Sequence, residues 1–358
     1  MINGKTGAAG MALLLALSRI FTEAAALPGE SAGYGMQRFT VLVLSFVLTA
    51  AVYLPLIGFI SSSPGVTPLG AVAARSKLLS GFFGVIFSVF LLSGAAETGL
   101  RAYYYASSTA FDSAPPIYFY AFTGAALLFT AYCGLEAASR AGFITAGVFA
   151  LLILLIILAL APSVRTERLY PALTDRSETL WSEILHEFSL NAEYLIFAAL
   201  CGRINRRRSF TVPAYIGISF AAVLVMTFLY TTVLGRLTNR LMFPFYTLSS
   251  ISDITLLHRI NGIDIAVWAA AGILRLALFA FAFGEVVKEC FAGGRDVKPA
   301  VYAFCAAALT VSALFCSYPE LHEPVKRISG SGIPLSAAAI LLPAAAFLCT
   351  RSGKGASE

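Results

Sequence analysis

Two stretches decide the architecture: Phe188-Ser189-Leu190-Asn191-Ala192-Glu193 and, near the start of the chain, Ile20-Phe21-Thr22-Glu23-Ala24. Each sets small and polar residues, with one carboxylate, inside a segment that is otherwise apolar. A helix needs roughly 20 apolar residues to cross hydrocarbon. Inside lipid, every backbone N–H and C=O must be bonded within the protein. A polar interruption at that depth is tolerated where the backbone opens onto a cavity, so these stretches predict interrupted helices.

Working outward, apolar runs lie at about 7–27, 38–60, 79–105, 116–137, 140–162, 183–203, 210–235, 263–290, 298–317 and 333–350. The two interruptions open the first and second groups of five. Corresponding breaks in two halves point to an inverted-repeat transporter architecture, with repeats at about 7–162 and 183–350 of a single domain, 1–358. Small residues also serve close helix packing, so the pattern alone leaves both uses open. The expected fold class is all-α integral membrane with ten transmembrane helices. Composition agrees: 58% of the 358 residues are hydrophobic and 12% charged, against roughly 25% charged in soluble domains, and the mean hydropathy is +0.81.

The formal charge of +6 does not point to nucleic acid, because the basic residues fall mostly in short loops between apolar runs, where they encode topology. Lys5, Arg75, Lys77, Arg140, Arg203, Arg206, Arg207, Arg208, Lys288, Arg295, Lys298, Arg351 and Lys354 share one side of the predicted membrane. The other side mixes signs, as in Arg165, Glu167, Arg168, Asp175, Arg176 and Glu178. That asymmetry predicts both termini in the cytoplasm. Lys5, the first apolar run and Ala24 to Ala26 could alternatively form a cleaved signal peptide, although Arg19 and Glu23 fit that reading poorly. Between the seventh and eighth runs, Leu248, Ile251, Ile254, Leu257 and Ile260 recur at helical spacing in a segment too polar to span. They predict a short helix lying on the outer surface or folded back over the bundle.

No P-loop, GxGxxG, HExxH or GxSxG motif occurs, and the six cysteines form no CxxC pair. No catalytic residue, metal site or cofactor is expected, and the chain reads as a non-enzyme.

An ionisable residue at membrane depth costs several kcal/mol unless paired, hydrated or near an end, so each one is a functional candidate. Arg19 and Glu23, and likewise Glu97 and Arg101, stand four apart on one helical face and can neutralise each other locally. Glu193 and Arg275 have no partner on their own helices, which leaves a contact across the bundle, water or a ligand; Glu285 shares the eighth run. The candidate ligand-binding residues are therefore Phe21, Thr22, Glu23 and Ala24, then Glu97 and Arg101, then Ser189, Asn191 and Glu193, and Arg275. Helix N-termini exposed near Thr22 and Asn191 would suit a carboxylate, while Glu193 or Glu97 could meet an amino group.

Leu100-Arg101 followed by Tyr105 and Pro115-Pro116, then Gly134-Leu135-Glu136 with Arg140-Ala141, then Leu169-Tyr170-Pro171-Ala172-Leu173, form an ordered series. It continues through Phe243-Pro244, Ile251, His258-Arg259-Ile260, Asp264, Trp268 and Arg275. In order and spacing this series resembles the B subunits of bacterial spore germinant receptors (GerA-type B subunits), members of the amino acid, polyamine and organocation transporter superfamily. The first run is more charged than is usual there, and Asn191-Ala192-Glu193 replaces a more glycine-containing break, so the ligand's identity does not carry over. The resemblance implies a LeuT-like 5+5 inverted repeat with broken helices 1 and 6. It implies a small-molecule germinant, an amino acid or similar, between helices 1, 6, 3 and 8; by its position alone, Arg275 would place a fixed charge where sodium-coupled relatives of this fold hold an ion. It also implies residence in the spore inner membrane with a membrane A subunit and a lipoprotein C subunit. The alternative function is a proton-coupled amino acid transporter with Glu97 or Glu193 as proton carrier.

Overall fold

A computed structural model describes residues 6–26, 35–63, 66–110, 115–170, 177–205, 208–255, 260–292 and 296–354. Lys5, Pro171 to Leu173, Asp175, Arg176, Arg206, Arg207, Leu257 to Arg259 and Arg295, all singled out above, lie outside them. The helices are α1 (Ala8–Ala24), α2 (Met36–Ser62), α3 (Pro68–Arg75), α4 (Lys77–Thr109), α5 (Pro116–Cys133), α6 (Leu135–Leu160) and α7 (Ser177–Ser189). They continue as α8 (Glu193–Leu200), α9 (Arg208–Leu229), α10 (Pro244–Thr255), α11 (Ile260–Val287), α12 (Lys298–Ser317), α13 (Pro319–Gly330) and α14 (Ile333–Lys354).

Among the described residues, nine helical stretches are long and apolar enough to cross a membrane, with α7 and α8 counted together as Leu180–Arg203. The tenth predicted run is α1, whose 17 residues reach about 25 Å. It is short because it is a core element. From Met11 to Ala24 only Leu13 escapes burial, and α1 packs against α6, α9 and α11. Lipid supplies no hydrophobic drive to bring helices together, so close approach needs small residues. A Cβ on Gly142 of α6 would stand 2.4 Å from Leu14 Cδ2, and one on Gly10 would stand 2.1 Å from Ser139 Oγ.

Helices α5 and α6 meet at a single residue, Gly134, whose φ of +90° joins them in a conformation that a Cβ would strain. Glu136 and Arg140 follow it as an exposed i,i+4 pair at 2.7 Å. Counting spans alternately places α10 and α13 on one face of the bundle. The opposite face carries α3 and the segment after α8, where Thr6 pairs with Ile204 as an isolated bridge. The surface helix read from Leu248 and Ile251 is α10; Leu248 is fully buried beneath it.

The second interruption falls where the sequence puts it. Helix α7 ends at Ser189 and α8 begins at Glu193. Asn191 makes the break tolerable, since its Nδ2 donates to the carbonyls of Glu187 at 3.4 Å and Phe188 at 3.2 Å, and its backbone N–H also donates to Phe188 at 3.0 Å, at the end of α7 where carbonyls lose their helical partners. The first interruption falls slightly later than its sequence pattern. Helix α1 runs unbroken through Ile20–Ala24 and leaves helical geometry at Ala25 and Ala26. The helix end near Thr22 is thus a C-terminus, which presents carbonyls and suits a cation or a guanidinium, not the carboxylate expected there.

Candidate functional site

The charges at membrane depth all find partners. Glu193, at the first turn of α8, and Arg275, on α11, meet across the bundle at 2.5 Å. Ser18 ties them further: its hydroxyl donates to Glu193 Oε1 at 2.7 Å, and its carbonyl and hydroxyl both face Arg275 Nη1. Arg275 Nε donates to Thr98 Oγ1 at 3.0 Å. Four elements, α1, α4, α8 and α11, are thereby pinned at one point.

A second network sits toward the end of α1. Arg19 pairs with Glu187 and, at 3.6 Å, with Glu23. Arg38 donates to Glu23 at 2.6 Å, and Gln37 to Glu183 at 2.8 Å. Arg101 pairs with Glu97 at 2.7 Å and donates to the Ala25 carbonyl at 3.3 Å, so the open C-terminus of α1 receives a guanidinium. On the opposite face Arg203 pairs with Glu285, Lys288 lies 3.8 Å from the same carboxylate, and Thr67 donates to Glu289 at 2.6 Å. Thr6 N donates to the Arg203 carbonyl at 3.0 Å. The sequence pattern had placed Arg203 among loop charges; it is buried because it pairs with Glu285 of the eighth span.

Between these networks lies a polar cavity of about 80 Å³, walled by Thr22 of α1, by Ser93, Glu97, Thr98 and Arg101 of α4, by His186, Ser189 and Leu190 at the break, and by Arg275 of α11. Lys326, Ser329 and Gly330 of α13 close it from one face. At 10–15 Å³ per water-sized position, that is room for roughly five to eight such positions, about the heavy-atom count of a small amino acid. Within the ion pairs two atoms remain available. Arg275 Nη2 and Glu97 Oε2 each have no hydrogen-bond partner among the described residues, and neither is sealed off as a buried atom. The Arg275 guanidinium also lies 5.3 Å over the Phe279 ring, which lines the same cavity.

Thr22, Glu97, Arg101, Ser189 and Arg275 are thus brought to one cavity. Glu193 and Asn191 stand behind it: Glu193 positions Arg275, and Asn191 accepts from Tyr215 at 3.2 Å. Glu23 belongs to the end network, Ala24 is buried in helix packing, and Phe21 faces a different space. His186 and Lys326 went unread. His186 lies one turn before the break on α7, and Pro319 to Gly330 carries charge at helical spacing, which is the signal that would have placed Lys326 on a covering helix.

A cavity enclosed by the first, third, sixth and eighth spans, with the sixth broken beside it, defines the architecture of a membrane transporter fold. The structure of Mhp1, a nucleobase-cation-symport-1 family transporter in a closed conformation with bromovinylhydantoin bound, is similar over 94% of this chain and 78% of its own, with a TM-score of 0.63 and 13% identity. That likeness is one of fold, and the chain is a LeuT-like 5+5 inverted repeat. The family model of spore germination proteins, Spore_permease, matches residues 39–323, and the chain belongs to that family. No curated protein matches it in sequence.

Proposed function

We propose that this chain is the germinant-sensing subunit of a spore germination receptor and that it holds a small zwitterion, an amino acid or a similar molecule, in the polar cavity. One observation carries this reading: a single small cavity offers an available carboxylate oxygen on Glu97 and an available guanidinium nitrogen on Arg275. These are the complements of an ammonium and a carboxylate, desolvated enough to strengthen both contacts. Glu193, Ser18 and Thr98 hold Arg275 in place, so its fixed charge removes the need for a bound cation. Ligand that draws on Glu97 and Arg275 competes with pairs that also anchor α1, and this is how occupancy would shift α1 and α8 relative to α4 and α11. The partners in this reading are a larger membrane A subunit and a lipoprotein C subunit, in the spore inner membrane, with both termini cytoplasmic as the loop charges indicate.

The transporter fold supports a second reading, proton-coupled amino acid transport with Glu97 as the proton carrier. Counterflow of a labelled amino acid into vesicles carrying this chain alone separates the two. Absence of flux together with copurification of an A subunit supports the sensor. Flux without any partner supports the transporter and overturns the sensor reading.

A further inference from the structure

A second and larger cavity, about 540 Å³, lies between α1, α4, α5 and α11. Its volume falls in the range of ligand sites, roughly 300–1,000 Å³, but its walls are almost wholly apolar. Small residues of two helices, Ala102 and Ala106 on α4 and Gly272 on α11, recess the floor, and Phe21 and Trp268 close its inner end. Tyr118 and Phe122 of α5 form the outer wall, and these side chains are 57% and 75% exposed. Helix α5 is a span on which, among the described residues, only Leu127 and Ala131 are buried. Its exposed face is therefore the lipid-facing surface, and the cavity wall is continuous with it.

We propose that this crevice is a binding site for an acyl chain of a surrounding membrane lipid. Water gains few hydrogen bonds in such a space, and apolar cavities stay dry. A polar solute would find no charged anchor among the described residues of these walls. Hydrocarbon is already present at the rim, and filling the crevice restores the dispersion contacts that its lining lacks. The site adjoins the polar cavity through one helix: consecutive residues of α1, Phe21 and Thr22, line the apolar and the polar space respectively. A Cβ on Gly272 would stand 3.2 Å from the Phe21 ring, so the inner end of the crevice is a side chain of the helix that walls the polar site.

The chain has two tryptophans, and they make the test direct. Trp181 is 69% exposed, whereas Trp268 is 2% exposed and lines the crevice. The full-length Trp181→Phe protein, reconstituted into phosphatidylcholine vesicles, is compared with the same protein in vesicles whose acyl chains carry bromine, a short-range quencher. The expected result is loss of Trp268 emission in brominated vesicles and little quenching by aqueous acrylamide. The loss disappears when Ala106→Phe fills the crevice. Ala102→Leu fills the same space from one turn earlier, so a packing fault in one variant does not decide the outcome. Unquenched Trp268 in brominated vesicles overturns the proposal. So does equal quenching in both filled variants, which would place the bromines in the surrounding annulus. Strong acrylamide quenching would overturn it too, by showing a water-filled vestibule.

Discussion

Removing the Arg275 charge tests the site at its most constrained point. The Glu193 side chain is 0% exposed and that of Arg275 6%, so Arg275→Met leaves a buried carboxylate without its ion-pair partner, held by the Ser18 hydroxyl. Breaking a buried pair from one side costs about 3–5 kcal/mol. At roughly 2 °C per kcal/mol for a chain of this size, the melting midpoint in a fixed detergent falls by about 6–10 °C. Glu193→Gln costs less, since the guanidinium keeps Thr98 and both Ser18 groups and the amide oxygen still accepts. The double variant removes both charges, so its loss is smaller than the sum of the single losses by about 0.5–3 kcal/mol, the range for coupled neighbours. The assay is thermal unfolding of the four proteins at one protein and detergent concentration. Additive losses, or a midpoint in Arg275→Met unchanged within about 2 °C, near 1 kcal/mol, would refute a desolvated ion pair at this point. Germination provides a second readout: the double variant regains stability but not the dose response, because Arg275 Nη2 is gone.

Other changes separate the roles of neighbouring residues. Glu97→Gln weakens a pair in which Arg101 is 5% and Glu97 22% exposed, with an amide oxygen still able to accept, so stability falls by about 1–3 kcal/mol; binding of a labelled amino acid to the purified chain is expected to fall at least tenfold, and an unchanged affinity removes Glu97 from the site. Asn191→Leu takes the amide donor from the Glu187 carbonyl and the acceptor from the buried Tyr215 hydroxyl, while the Phe188 carbonyl keeps the backbone N–H of residue 191, a loss of about 1–3 kcal/mol for the hydroxyl alone, read as a lower thermal midpoint. Gly142→Leu drives a side chain into Leu14 at the α1–α6 crossing and is expected to cost about 1–3 kcal/mol or to abolish folding; an Ile144→Leu control on the lipid-exposed face of the same helix leaves the midpoint in place.

The depth of each span was legible because apolar runs near 20 residues admit one structure in lipid. The break at Asn191 was legible for a related reason: an amide and a carboxylate amid apolar neighbours must satisfy one another or a backbone that has opened. The first run carried the same signal with a different outcome. Arg19 and Glu23 are charge-paired with Glu187 and Arg38 of other helices, so α1 can stay helical through them and end only at Ala25. Which charges pair across the bundle is a property of helix faces and rotations that periodicity does not encode. Glu193 with Arg275 stood as one of the open choices, and Arg203 with Glu285 was not foreseen. The recruitment of Thr22, Glu97, Arg101, Ser189 and Arg275 to one cavity followed from the repeat architecture. Phe21, next to Thr22, turns away because successive helical residues lie about 100° apart.

The most direct test of a ligand in the polar cavity is equilibrium binding of a labelled amino acid panel to the purified full-length chain, with and without Ser93→Leu. Ser93 lines the cavity, and among the described residues its hydroxyl bonds only to its own helix, at the Phe90 carbonyl 2.9 Å away, so leucine there fills the space while the ion pairs stay intact. Saturable binding of at least one amino acid, lost in Ser93→Leu at an unchanged thermal midpoint, is the predicted result. Binding that survives with the cavity filled, or no binding across the panel by a chain that restores germination in cells, would contradict it.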